Sequence, residues 1–197
     1  MKKILWVMVV LAAVAMFMTQ QNQPEQPAVT KIELGGAFSL IGTEGQSISS
    51  DDFSDKYMLV FFGFTFCPDI CPTTLTTIST MLEQLDDENP TLAAKLAPIF
   101  ITVDPERDTP EIMKEYMSNF DARITGLTGS RAQVRAVADA YKVYYALQKQ
   151  SPEDTDYLVD HTGYVYLMSP KGQYLAHFTH DKSADEIIVL LNEKVEG

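Results

Sequence analysis

Apolar residues in this chain recur in two periods. A continuous run from Tyr57 to Thr65 predicts a strand buried on both faces. Pro98 to Val103, closed by Asp104-Pro105, predicts a second. Between them Leu75, Ile78, Met81, Leu82 and Leu85 recur at helical spacing. Pro72 suits the first turn of that helix, and Asn89-Pro90 ends it. Thr109-Pro110 opens another helix with Ile112, Met113, Tyr116 and Met117 on one face. Ile124 to Leu127 predicts a short strand, Ser130 with Gln133 a capping box for a helix through Tyr141, and Val143 to Leu147 an extended segment. Gly163 to Met168 and Tyr174 to Phe178 alternate as strands about the Ser169-Pro170-Lys171-Gly172 turn. Ser183 with Glu186 caps a last helix whose core face is Ile187, Leu190 and Leu191. Upstream, Ile32 to Ile41, broken at Gly35-Gly36, and the Gly42-Thr43-Glu44-Gly45 turn predict an N-terminal β-hairpin.

Strands alternating with helices, then a final hairpin and helix, predict an α/β sandwich around a central mixed sheet. That order is the pattern of a thioredoxin-like fold. It occupies residues 32–197 of a 197-residue chain, enough for one domain with a proper core. There are no internal repeats. Residues 1–19 read as a signal-anchor: Lys2 and Lys3 precede an unbroken apolar run from Ile4 to Met18. The run is a little short for a bilayer span and long for a cleaved signal peptide, although Ala13-Val14-Ala15 offers a cleavage site. Residues 20–31, rich in Gln and Pro, read as a flexible spacer. The lysines stay on the cytoplasmic side and the domain is exported.

Charge narrows the partners. The net charge is −12. Such a domain does not bind nucleic acid through phosphates. It is repelled by anionic lipid heads, which leaves membrane attachment to the leader. Solubility accounts for the acidity, and so does a partner with a basic docking face.

The chain has two cysteines, both in Phe66-Cys67-Pro68-Asp69-Ile70-Cys71-Pro72, between an apolar strand and a helix. Outside the cytoplasm a lone pair is by default a structural disulfide. A bridge closing so small a loop removes little unfolded-state entropy, so the spacing points to function instead. Free N–H groups and partial positive charge at a helix N-terminus favour thiolate over thiol. If the segment turns helically, positions i and i+4 bring both sulfurs to one side. Two soft sulfurs clamp Cu(I) or Zn(II) in preference to hard cations.

Two sulfurs leave a metal under-coordinated. The chain's three histidines are His161, His177 and His180. His161 lies in Asp160-His161-Thr162-Gly163, a loop entering the last hairpin. In a thioredoxin-like fold that loop sits beside the dithiol, where thioredoxins carry a cis-proline. An imidazole there suits a metal ligand. His177 and His180 are three apart, on opposite faces of a strand, and read as structural. Met113 and Met117 share a stripe with Ile112 and Tyr116 and read as core. Asp69 reads as the helix cap, and Asp104 to Pro110 as a turn; a carboxylate at either place could instead tune a metal site.

Gly63-Phe64-Thr65-Phe66-Cys67-Pro68-Asp69-Ile70-Cys71-Pro72, Val103-Asp104-Pro105-Glu106-Arg107-Asp108-Thr109-Pro110 and Asp160-His161-Thr162 together resemble the Sco/SenC family. The resemblance runs from about Gly35 to the C-terminus. It implies a membrane-anchored, thioredoxin-fold copper protein that helps assemble the copper A centre of cytochrome c oxidase. It implies Cys67, Cys71 and His161 as metal ligands, copper as Cu(I) or Cu(II), and the oxidase's copper-binding subunit as partner. It places a single-pass protein in the bacterial inner membrane with its domain on the periplasmic side. Phe66 stands where many members have histidine, a position that is not a family ligand. An enzymatic alternative uses the same Cys67 and Cys71 as a thiol:disulfide reductase for the oxidase's own cysteines. A copper or redox sensor is a further one. A peroxiredoxin-like peroxidase needs a threonine three residues before the attacking cysteine, and Phe64 and Pro68 stand there.

Overall fold

The computed structural model describes residues 34–151 and 153–196; the expected signal-anchor and spacer lie outside them. The chain forms β1 (Ser39–Gly42), β2 (Ser47–Ser49), β3 (Tyr57–Gly63), α1 (Ile70–Glu88), α2 (Pro90–Ala94), β4 (Leu96–Thr102), α3 (Pro110–Met117), β5 (Thr125–Thr128) and α4 (Arg131–Ala140). Then come β6 (Tyr145–Leu147), β7 (Val159–His161), β8 (Tyr164–Met168), β9 (Tyr174–Thr179) and α5 (Ala184–Leu191). Seven strands make one mixed sheet in the order β2-β1-β5-β4-β3-β8-β9, while among the described residues β6 and β7 pair only with each other.

The unbroken apolar runs become the middle of this sheet. β3 and β4 are parallel, from Tyr57 opposite Leu96 to Gly63 opposite Thr102. All of β4 is buried, and in β3 only Tyr57 is partly open. Helices cover both faces, so side chains of both parities need an apolar partner. Leu59 and Phe61 pack with α1, α2, α3 and α5. Met58, Val60 and Phe62 pack with α4, β1 and the β6–β7 pair. The α/β sandwich with a mixed central sheet is therefore observed, and the N-terminal hairpin with it: β1 and β2 pair around Gly42 and Gly45.

Local chemistry sets the ends. Both expected capping boxes form, Ser130 with Gln133 on α4 and Ser183 with Glu186 on α5. Other ends differ from expectation. Among the described residues the first strand starts at Ser39, because upstream Gly35 turns with φ +94° and donates its N–H to the Ala140 carbonyl at 3.0 Å; Ile32 lies outside the described residues. Pro90 does not only end a helix. Asn89 closes α1, and its side chain then accepts from the Leu92 N–H at 3.1 Å, with Pro90 as the first residue of α2. The segment holding His161 is a short strand, β7, not a loop: Tyr145 pairs with His161 and Leu147 with Val159. Among the described residues no helix is long and apolar enough to cross a membrane.

Candidate metal centre

The cysteines sit where β3 leaves the sheet and α1 begins. After Gly63 the chain turns, and the Cys67 N–H reaches the Phe64 carbonyl at 3.3 Å. Asp69 occupies the cap position of α1, but its carboxylate makes no cap bond; it accepts instead from the Thr73 hydroxyl at 3.5 Å. Asp69 thus holds the expected cap position without supplying the side-chain bond of a cap. The Cys67 sulfur does that work, accepting from the Cys71 N–H at 3.5 Å. Sulfur tolerates the longer distance, and a thiolate meets the positive end of the helix.

Both thiols are free, Cys67 half-buried and Cys71 fully buried. They divide one proton unequally. The Cys71 thiol donates to Cys67 and holds its pKa far below the ordinary thiol range, against the opposing effect of burial; His161 and the N–H groups of Asp69 and Cys71 add to it. The same bond, burial and the adjacent thiolate push Cys71 far up. The pair titrates as a unit.

His161 comes to the pair from the far side of the chain. Its Nε2 lies 3.6 Å from the Cys71 sulfur. Its Nδ1 faces the Thr162 carbonyl at 3.2 Å. A carbonyl can only accept, so that bond keeps a proton on Nδ1 and makes Nε2, on the sulfurs' side, the ring atom available to a metal. The ring stands edge-on to Phe61 and Phe64, with centroids 6.3 and 5.8 Å away. The donor atoms of Cys67, Cys71 and His161 all lie within 4.8 Å of one another. Donors held about 2.0–2.3 Å from one ion in a trigonal plane are about 3.8 Å apart. The three can hold one soft cation.

The remaining candidates fall elsewhere. His177 accepts or donates through Nδ1 to the Tyr174 hydroxyl at 2.6 Å and lies against the Tyr164 ring. His180 lies just past β9, beside Gly163. Neither joins the Cys–Cys–His group. Met113 and Met117 are buried beneath Gly126 in the core. Asp104 does form the turn, and is buried in an ion pair with Arg107 at 2.5 Å.

Two determinants of the site were not singled out from the sequence. A side chain at Gly63 would put its Cβ 2.5 Å from the Cys71 sulfur, so β3 must end in glycine for the sulfur to fit. Asp108, fully buried, accepts from the Thr65 N–H at 3.0 Å, the Thr65 hydroxyl at 2.6 Å and the Thr102 hydroxyl at 2.5 Å. That carboxylate ties the cysteine turn to the end of β4. Burial raises its pKa, and the three donors partly offset the shift.

Comparison with known proteins names the arrangement. The family model described as SCO1/SenC matches residues 26–196. The chain belongs to the SCO1/SenC family. An SCO2-like protein of Rickettsia prowazekii is 42% identical over 164 residues, which cover 83% of this chain and 78% of the relative. Two solved SCO structures share the fold. One is Arabidopsis thaliana ScoI with copper bound, 35% identical with a TM-score of 0.75, covering 83% of this chain and 98% of the other. The second is Bradyrhizobium japonicum ScoI with copper bound, 38% identical with a TM-score of 0.72, covering 82% and 99%.

Proposed function

We propose that this chain is a membrane-anchored copper carrier, with its domain on the extracytoplasmic side, that delivers copper to the copper A site of cytochrome c oxidase. The observation that supports it most is the convergence of two sulfurs and one imidazole, separated by 90 residues, within bonding reach of one ion. Membership of a family with copper-bound relatives agrees with it. In this reading Cys67 and Cys71 bind as thiolates and His161 through Nε2. Copper would supply soft-acid bonding that displaces the Cys71 proton, so loading releases a proton. Delivery proceeds by ligand exchange with the oxidase's copper-binding subunit, without chemical turnover.

The test is Cu(I) binding by the purified, reduced full chain in competition with a chelator. Wild type binds one equivalent, while Cys67→Ala and His161→Ala lose most of the affinity. Undiminished tight binding in either variant rules the site out.

One observation favours a second reading, a thiol:disulfide reductase acting on the oxidase's cysteines. The half-exposed, acidified Cys67 and the buried, protonated Cys71 are suited to attack and resolution respectively. Here His161 is dispensable, so a His161→Ala chain that restores oxidase activity in a deletion strain selects the reductase.

A further inference from the structure

His161 rides on β7, which among the described residues is paired only to β6 and has no ladder to the seven-stranded sheet. Its distance from the sulfurs therefore depends on side-chain contacts as well as on the two-residue link to β8. One buried set of these lies four residues upstream, at Tyr157. Its hydroxyl donates to Asp104 Oδ1 at 2.8 Å. Its carbonyl accepts from Arg107 Nη1 at 2.8 Å. Its ring lies 3.7 Å from the Arg107 guanidinium carbon. Arg107 in turn holds Asp104 Oδ2 through Nε at 2.5 Å. Tyr157 is 5% exposed and Asp104 1%, so these are dry, strong contacts.

The same guanidinium reaches the other half of the site. Its carbon is 4.9 Å from the Phe66 centroid and 5.8 Å from that of Phe64, within cation–π range of the turn that carries Cys67. Arg107 Nη2 has no hydrogen-bond partner among the described residues, so ring faces supply part of its environment. One residue after Arg107, Asp108 fixes Thr65. A single turn after β4 thus grips the cysteine arm with one carboxylate and the histidine arm with another.

We propose that Asp104, Arg107 and Tyr157 form a latch that positions His161 against the two sulfurs. The latch rests on the copper-site reading above, since it matters only if the imidazole is a ligand. Its members touch no metal and act through His161. Phe66 is part of the seat: an exposed ring on the cysteine arm that Arg107 covers.

Tyr157→Phe is the decisive variant, because it keeps the ring and removes only the bond to Asp104. Arg107→Lys serves as a second, keeping the charge but not the fork. Both are made in the full chain and checked for folding by circular dichroism. Cu(I) affinity falls about tenfold in Tyr157→Phe, the effect usual for a group that orients a ligand. In a His161→Ala background the same change alters affinity less than twofold. In the metal-free chain, hydrogen exchange quickens at the Thr162 amide, which bonds the Tyr144 carbonyl at 3.0 Å. The Cu(II) form loses nitrogen coupling in its electron paramagnetic resonance spectrum. An equal loss in both backgrounds, or none in either, overturns the latch. A His161→Ala chain that binds copper like wild type overturns the ligand reading and the latch together. A His161→Ala loss with an unaltered Tyr157→Phe overturns the latch alone.

Discussion

Alanine at Gly63 tests how the buried sulfur is seated. The new Cβ would stand 2.5 Å from Cys71 Sγ and 2.7 Å from Phe100 Cε2. Comfortable heavy-atom separations are about 3.5–4.0 Å, so one partner must yield by about 1 Å. Neither has open space to enter, since Cys71 and Phe100 are both fully buried. Backing β3 away is resisted by the Val103 N–H bond to the Gly63 carbonyl at 2.8 Å. Overpacking of this kind costs about 1–3 kcal/mol. A donor moved by about 1 Å lies well outside the ±0.2 Å tolerance of a metal site, which points to a loss of about 10–100-fold in Cu(I) affinity. Urea unfolding of the metal-free chain reads the first quantity and chelator competition the second. Gly163→Ala is the control. The nearest atoms to its Cβ are His180 Nδ1 at 3.4 Å, Ile70 Cγ2 at 3.8 Å and His180 Cγ at 4.0 Å, ordinary contacts. It is expected within about 0.5 kcal/mol of wild type. Gly63→Ala with wild-type stability and affinity refutes the packing argument.

Three further outcomes are expected. Iodoacetamide labels the reduced apo-chain at one thiol, Cys67, because its lowered pKa keeps a thiolate while Cys71 stays protonated. The rate is flat from about pH 5 to 8, where an unperturbed thiol gains about tenfold per unit; two labels with that slope contradict the assignment. Met113→Ala, in the core under Gly126, lowers stability by about 2–4 kcal/mol and leaves copper stoichiometry unchanged; lost copper marks Met113 as a ligand. Ser183→Ala removes the capping box of α5 and costs about 1 kcal/mol in urea, while an unchanged midpoint shows the cap contributes nothing.

Local patterns carried most of the architecture. The apolar runs of β3 and β4, the helical spacing from Leu75 to Leu85 and the two Ser capping boxes are visible without tertiary knowledge, because each arises within a few residues. β7 was not, since Val159-Asp160-His161 is too short to show a period. The two cysteines and His161 were singled out as chemistry in a known fold pattern, and the structure brings them together. Asp69 stands at the cap position the sequence predicts, but residue type says nothing about a competing sulfur two positions earlier that takes the free N–H. Gly63, Asp108 and Tyr157 escaped for one reason. Their partners lie elsewhere in the chain, at Cys71, Thr65 and Asp104, and no periodicity reports a contact that distant.

The unequal depth of the two cysteines fixes an order of events. Any visitor from solvent, whether alkylating reagent, chelator or a docking protein's own thiol, meets Cys67 first and finds Cys71 fully buried on the core face of α1. Exchange at this centre must therefore begin at the outer sulfur and finish at the inner one, and a competitor that cannot engage the former has no route to the latter.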